Sequence, residues 1–79
     1  MLLFTTVLFV DGNPVAYSVF KEKSRVVLRP DALGETIEKC PELIAKKMKY
    51  QWKIKGTEDQ NLVAQVIEDL TAREKKFPF

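Results

Sequence analysis

Residues 46–56 read "KKMKYQWKIKG", five lysines around a tyrosine and the chain's single tryptophan. Met48, Tyr50, Trp52 and Ile54 alternate with Lys47, Lys49, Gln51, Lys53 and Lys55. Alternation at period two marks extended chain with one apolar and one wet face. Two geometries keep that parity. One is a single long strand, entered through a short helix opened by Pro41. The other is a hairpin of residues 43–48 and 52–55, with Lys49, Tyr50 and Gln51 as its loop. In that hairpin Met48 faces Trp52, Lys47 faces Lys53, and Ile44 shares a face with Ile54. The hairpin is the preferred reading, although its loop lacks the Gly or Asn that tight turns favour.

Working outward, the first 30 residues predict a three-stranded antiparallel meander. Residues 2–10, 15–20 and 25–28 are its strands. "DGNP" (11–14) makes the first turn and the charged "KEKS" (21–24) the second. Residues 31–42 read as an irregular connection, with Ala32, Leu33 and Ile37 available to plug the edge of the core. Downstream, Thr57 with Gln60 three residues on fits a capping box. Glu58 and Asp59 suit the positive end of a helix dipole, and Arg73, Lys75 and Lys76 the other end. Leu62, Val63, Val66, Ile67 and Leu70 form an apolar stripe at helical spacing. A helix over 58–73 must bury that stripe, and one face of the sheet is the surface available. The expected fold is therefore α+β: an N-terminal meander and a later hairpin in one antiparallel sheet, with one C-terminal α-helix packed on one face. The whole chain is one small domain, with 75–79 as a tail.

The segment Ala45-Lys46-Lys47, a turn, then "WKIKGTED" (52–59) and an amphipathic helix resembles short bacterial hypothetical proteins of unknown function. Many of these have Asn-Gly in the turn, where this chain has Lys49-Tyr50-Gln51. The resemblance covers about the last 35 residues. It implies the hairpin and no activity.

With 79 residues the domain has room for one modest core. The net charge of +2 implies no polyanion partner by itself. The basic character is local, because residues 44–56 hold five lysines and no acid while the remainder is slightly acidic. One cysteine, Cys40, permits no internal disulfide and fits a reducing, cytoplasmic setting. The opening "MLLFTTVLFV" has no basic leader and falls short of the roughly 20 residues a spanning helix needs, so it reads as a strand.

Histidine is absent, which removes the commonest general base and metal ligand together. Three scattered glycines make no phosphate-cradling loop. The composition therefore argues against an enzyme and points to no catalytic, cofactor or metal residue. A thiol chemistry at Cys40, beside Lys39 and Pro41, is the enzymatic alternative.

The expected function is a protein-interaction module, with another protein or a second copy of itself as partner and no membrane. Lys47, Lys53 and Lys55 are the candidate residues for an acidic surface, and Phe77 and Phe79 are candidate anchors. The alternative is a weak, sequence-unspecific nucleic-acid binder through Lys46, Lys47, Lys49, Tyr50, Lys53 and Lys55. Parity opposes it, because Trp52 should face the core while the lysines face solvent. Both faces of residues 2–10 are apolar, and one helix covers only one of them. The other must meet the 31–42 segment or another chain.

Overall fold

The computed structural model describes residues 1–31, 40–49 and 51–77. Five strands precede one helix: β1 (Leu2–Val10), β2 (Asn13–Glu22), β3 (Arg25–Pro30), β4 (Leu43–Lys47), β5 (Trp52–Lys55) and α1 (Gln60–Arg73). The strands form one sheet in sequence order with every pairing antiparallel. This is the expected α+β architecture, with β2 and β3 longer than their apolar runs suggested. The parts expected of Ala32, Leu33 and Ile37 fall outside the described residues.

Local chemistry explains the first hairpin. Asp11 and Gly12 take φ of 53° and 80°, both in the left-handed region. That pair of values suits a two-residue turn whose twist matches the strands it joins. Pro14 sits opposite Phe9, and Val10 opposite Asn13. Residues flanking a two-residue turn exchange hydrogen bonds, so Phe9 and Pro14 form a non-bonded pair. A residue without an N–H costs nothing there.

The core face of the sheet carries Leu8, Val10, Val15, Tyr17, Val19, Val26, Leu28, Leu43, Ala45 and Trp52. Leu62, Val66 and Leu70 of α1 complete the core and Ile67 packs half-buried against it, so three of the five predicted stripe residues are buried, with Val63 half-buried. The helix packs against both β1 and β5, the two outer strands. Laid flat, five strands at about 4.8 Å spacing would span roughly 19 Å, whereas a helix is about 10 Å across. The sheet therefore curls around α1.

Two corrections concern local geometry. The helix is capped by Asp59, not Thr57. The Asp59 carboxylate accepts the N–H groups of Asn61 and Leu62, while Thr57 Oγ1 accepts the Asp59 N–H. A carboxylate at the N-cap satisfies two orphan donors and suits the helix dipole, so Thr57 serves the residue before the helix. The hairpin also has a different register. Met48 N–H donates to Gln51 C=O, Lys47 lies opposite Trp52, and Lys46 lies opposite Lys53. Ala45 then pairs with Ile54. The expected pairing of Lys47 with Lys53 would have turned Leu43 and Ala45 outward and Lys46 inward. A one-residue slip exchanges the two faces, and burial of Leu43 and Ala45 decides which register wins.

Gly56 follows β5 with φ 111°, and a Cβ there would lie 2.3 Å from the Glu42 carbonyl oxygen. Gly56→Ala is expected to destabilise the fold by at least about 2 kcal/mol, read as a lowered urea midpoint with unchanged slope. Tyr17 is fully buried and donates its hydroxyl to the Pro41 carbonyl at 2.8 Å. Burial, and secondarily the charge of a Cys40 thiolate, push its phenol up to about 12. A phenol raised in the folded state holds its proton after the unfolded one, near 10, has lost it. The contribution of Tyr17 to stability should therefore be level below pH 10 and fall between 10 and 12. Tyr17→Phe should flatten this alkaline limb in thermal melts.

Candidate partner-binding face

The hairpin register sorts the lysines. Ile44 pairs with Lys55 and Lys46 with Lys53, and opposed residues share a face, so all four lie on the side of the sheet away from α1. Arg25, one residue before the core residue Val26, lies on that same side at the start of β3. A shallow groove is lined there by Ser24, Arg25, Ile44, Lys46, Met48, Lys53 and Lys55. Its lining holds four cations and no carboxylate among the described residues. Ile44 is half-buried and Met48 exposed, so the cations surround a small apolar floor. Arg25 Nη2 is 3.4 Å from Glu22 at the rim.

Farther across the same face the cations are already matched. Arg29 meets Glu42 at 3.1 Å and Glu22 at 3.5 Å, and its guanidinium lies over the Phe20 ring at 5.4 Å. Val27, between Phe20 and Ile44 in the ladder, is buried beneath this layer.

Lys47 leaves the expected cluster. It shares the core face with Trp52, lies over its ring at 5.2 Å, and pairs with Glu74 just past α1. Trp52 donates its indole N–H to the same carboxylate at 2.9 Å. Lys47, Trp52 and Glu74 thus tie the end of the helix to the hairpin. Lys49 is exposed in the turn, and Tyr50 lies outside the described residues. Phe77 packs its ring against Phe4 with centroids 4.9 Å apart, so it folds back onto the domain. Phe79 lies outside the described residues. Cys40 is buried in the core cluster beside Tyr17.

Sequence reasoning missed Arg25, Ile44 and Met48 as members of the groove. Arg25 follows the "KEKS" turn, and only the pairing of β3 with β4 reveals that it stands near the lysines. No helix of the described residues is long and apolar enough to cross a membrane. Compared with protein-family models, curated proteins and solved structures, the chain matches none.

The Lys47 ammonium donating to Glu74, with Trp52 adding a second hydrogen bond, holds that carboxyl below the usual carboxylate range, against the opposing effect of partial burial. A carboxyl lowered in the folded state stabilises it above the unfolded value, about 4.3, and loses that effect as pH falls through the folded value. Glu74→Gln should therefore melt earlier than the native chain at neutral pH and converge with it in acid. The single tryptophan provides the readout through its emission.

Proposed function

We propose that the chain is a non-enzymatic protein-interaction module whose hairpin groove receives an acidic segment of another protein. The observation that carries this reading is the set Arg25, Lys46, Lys53 and Lys55 around Ile44 and Met48, with no lining carboxylate among the described residues. Lys46 opposite Lys53 costs a few tenths of a kcal/mol in the free domain, and an anionic partner relieves it. Lysines on a face of high solvent exposure contribute mainly rate and register, while the apolar floor supplies desolvated contact. An extended segment alternating acidic and aliphatic side chains meets both needs. Lys49 extends the positive field at the turn, and Lys47 is engaged with Glu74.

A second reading, unspecific nucleic-acid binding, is favoured by the spacing of the same cations on one face. Among the described residues no aromatic ring lines the groove as a stacking platform, Trp52 being buried on the opposite side. Arg25, the one guanidinium in the groove, is shared with Glu22.

The test titrates the chain with an alternating Glu-Leu peptide and, in parallel, a single-stranded oligonucleotide, following backbone amide shifts. The peptide is expected to shift Ile44, Lys46 and Lys53, more weakly at high salt, and Lys46→Glu with Lys53→Glu should abolish the response. Absence of peptide binding, or binding untouched by the double substitution, would overturn the proposal. A response to the oligonucleotide alone would establish the second reading instead.

A further inference from the structure

The end of the sheet opposite the lysine groove has the reverse character. Strand β1 forms an outer edge of the sheet and contains no charged residue along its nine positions. Edges of that length are ordinarily guarded by lysine, proline or a bulge. The other edge, β5, follows this custom, with four residues of which two are lysines. Leu2, Val7 and Phe9 are 53%, 55% and 54% exposed. Val7 pairs with Ala16 and Phe9 with Pro14, both exposed, so one uncharged patch runs across this end of the open face.

The backbone states which ladder positions are open. Because Val10 and Asn13 flank the two-residue turn, Val10, Leu8, Thr6 and Phe4 direct their N–H and C=O groups toward β2. Phe9, Val7 and Thr5 direct theirs away. At Phe9 the outward pair is taken: Gln65 Oε1 accepts the Phe9 N–H at 2.7 Å, and Gln65 Nε2 donates to the Phe9 carbonyl at 2.9 Å. The α1 side chain imitates a neighbouring strand and ends the edge there. Thr5 and Val7 remain, on either side of Thr6. At the other end the β1 register breaks between Leu2 and Phe4.

Two outward positions flanking one inward residue are self-complementary. We infer that β1 pairs with β1 of a second copy, antiparallel about a twofold axis at Thr6, so that Thr5 of each chain exchanges both hydrogen bonds with Val7 of the other. The contact is isologous and closes at two chains, whereas β1 against β5 of another copy would propagate without closing. The strand itself is uncharged and meets its own copy without repulsion between the strands; of the two carboxylates that line the groove beside it, Glu68 and Asp69, the second is paired with Arg73. Pairing also joins the two patches of Val7 and Phe9 into one. This inference uses neither the lysine groove nor its partner.

The test measures the mass of the full chain by light scattering over a range of concentrations, at low and high salt. The expected result is twice the 9.1 kDa of one chain at both salt concentrations, since β1 itself carries no charge and the Glu68 and Asp69 carboxylates that line the groove beside it would at most weaken the dimer at low salt. Val7→Pro removes an outward N–H that the fold does not use, and should yield a folded monomer by Trp52 emission and circular dichroism. Thr6→Cys in a Cys40→Ala background gives a second readout that holds even if Val7→Pro fails to fold. A non-bonded antiparallel pair places its Cα atoms about 4.5 Å apart, within disulfide reach. That variant should oxidise to a covalent dimer, whereas Thr5→Cys, offset by two positions from its counterpart, should not. A native chain of single mass at every concentration, a dimer that survives in folded Val7→Pro, or equal cross-linking at both positions would overturn the inference. Lys46→Glu with Lys53→Glu should leave the dimer unchanged.

Discussion

Burial of Leu62, Val66 and Leu70 in the hollow of the sheet is the contact on which the rest of the molecule depends. Each of these side chains contributes about 1.5–3 kcal/mol when removed from water, and among the described residues no other helix covers this face of the sheet. A flat sheet would leave its outer strands beyond the helix, so the sheet curls until both touch it. Polar clasps then fix the helix along its length. Gln65 holds β1 at Phe9, Asp59 caps the start, and Glu74 ties the end to Lys47 and Trp52. Arg73 adds a last contact, with Asp69 at 3.0 Å and its guanidinium over Phe4 at 4.2 Å, beside Phe77.

Closing one face leaves the other to deal with water, and it does so unevenly. At the centre, Arg29 is shared between two glutamates and lies over Phe20, with Val27 hidden below. At the hairpin end cations gather with no lining carboxylate among the described residues. At the β1 end the strand itself carries no charge. These are different surfaces chemically, one suited to charge and one to apolar contact and main-chain pairing. They are separated by the width of the sheet, so each can be occupied without disturbing the other.

The division of the lysines follows from a single register choice. Placing Leu43 and Ala45 in the core sends Lys46 outward beside Lys53 and brings Lys47 inward, where the Trp52 ring and Glu74 accommodate it. Lys47 is tolerated on the core face because its aliphatic stem lies along apolar surface while its ammonium reaches a carboxylate at the rim. Trp52 gains a hydrogen-bond partner for its indole from the same carboxylate. The local repulsion between Lys46 and Lys53 is small beside the burial of two core side chains, so packing decides the register.

The sequence by itself determined the element order, the antiparallel class of the sheet and the buried stripe of α1. Period-two and helical spacings are local properties of the chain, and the Asp11-Gly12 turn encodes its own backbone. It also placed Trp52 in the core, through alternation alone. Tertiary structure decided what depended on residues distant in the chain. The sequence reading placed the cap at Thr57, and only the helix start at Gln60 selected Asp59. Alternation through residues 43–55 favours pairing Lys47 with Lys53, whereas the observed pairing of Lys46 with Lys53 breaks it at the turn and puts Lys47 on the face of Trp52. The choice rests on Val26 and Leu28 of β3, which present the core to Ala45 and Leu43 from some 15 to 20 residues away. Arg25 joins the lysines for the same reason. Periodicity reports which residues share a face within one strand, and only the packing of strand against strand says which faces meet.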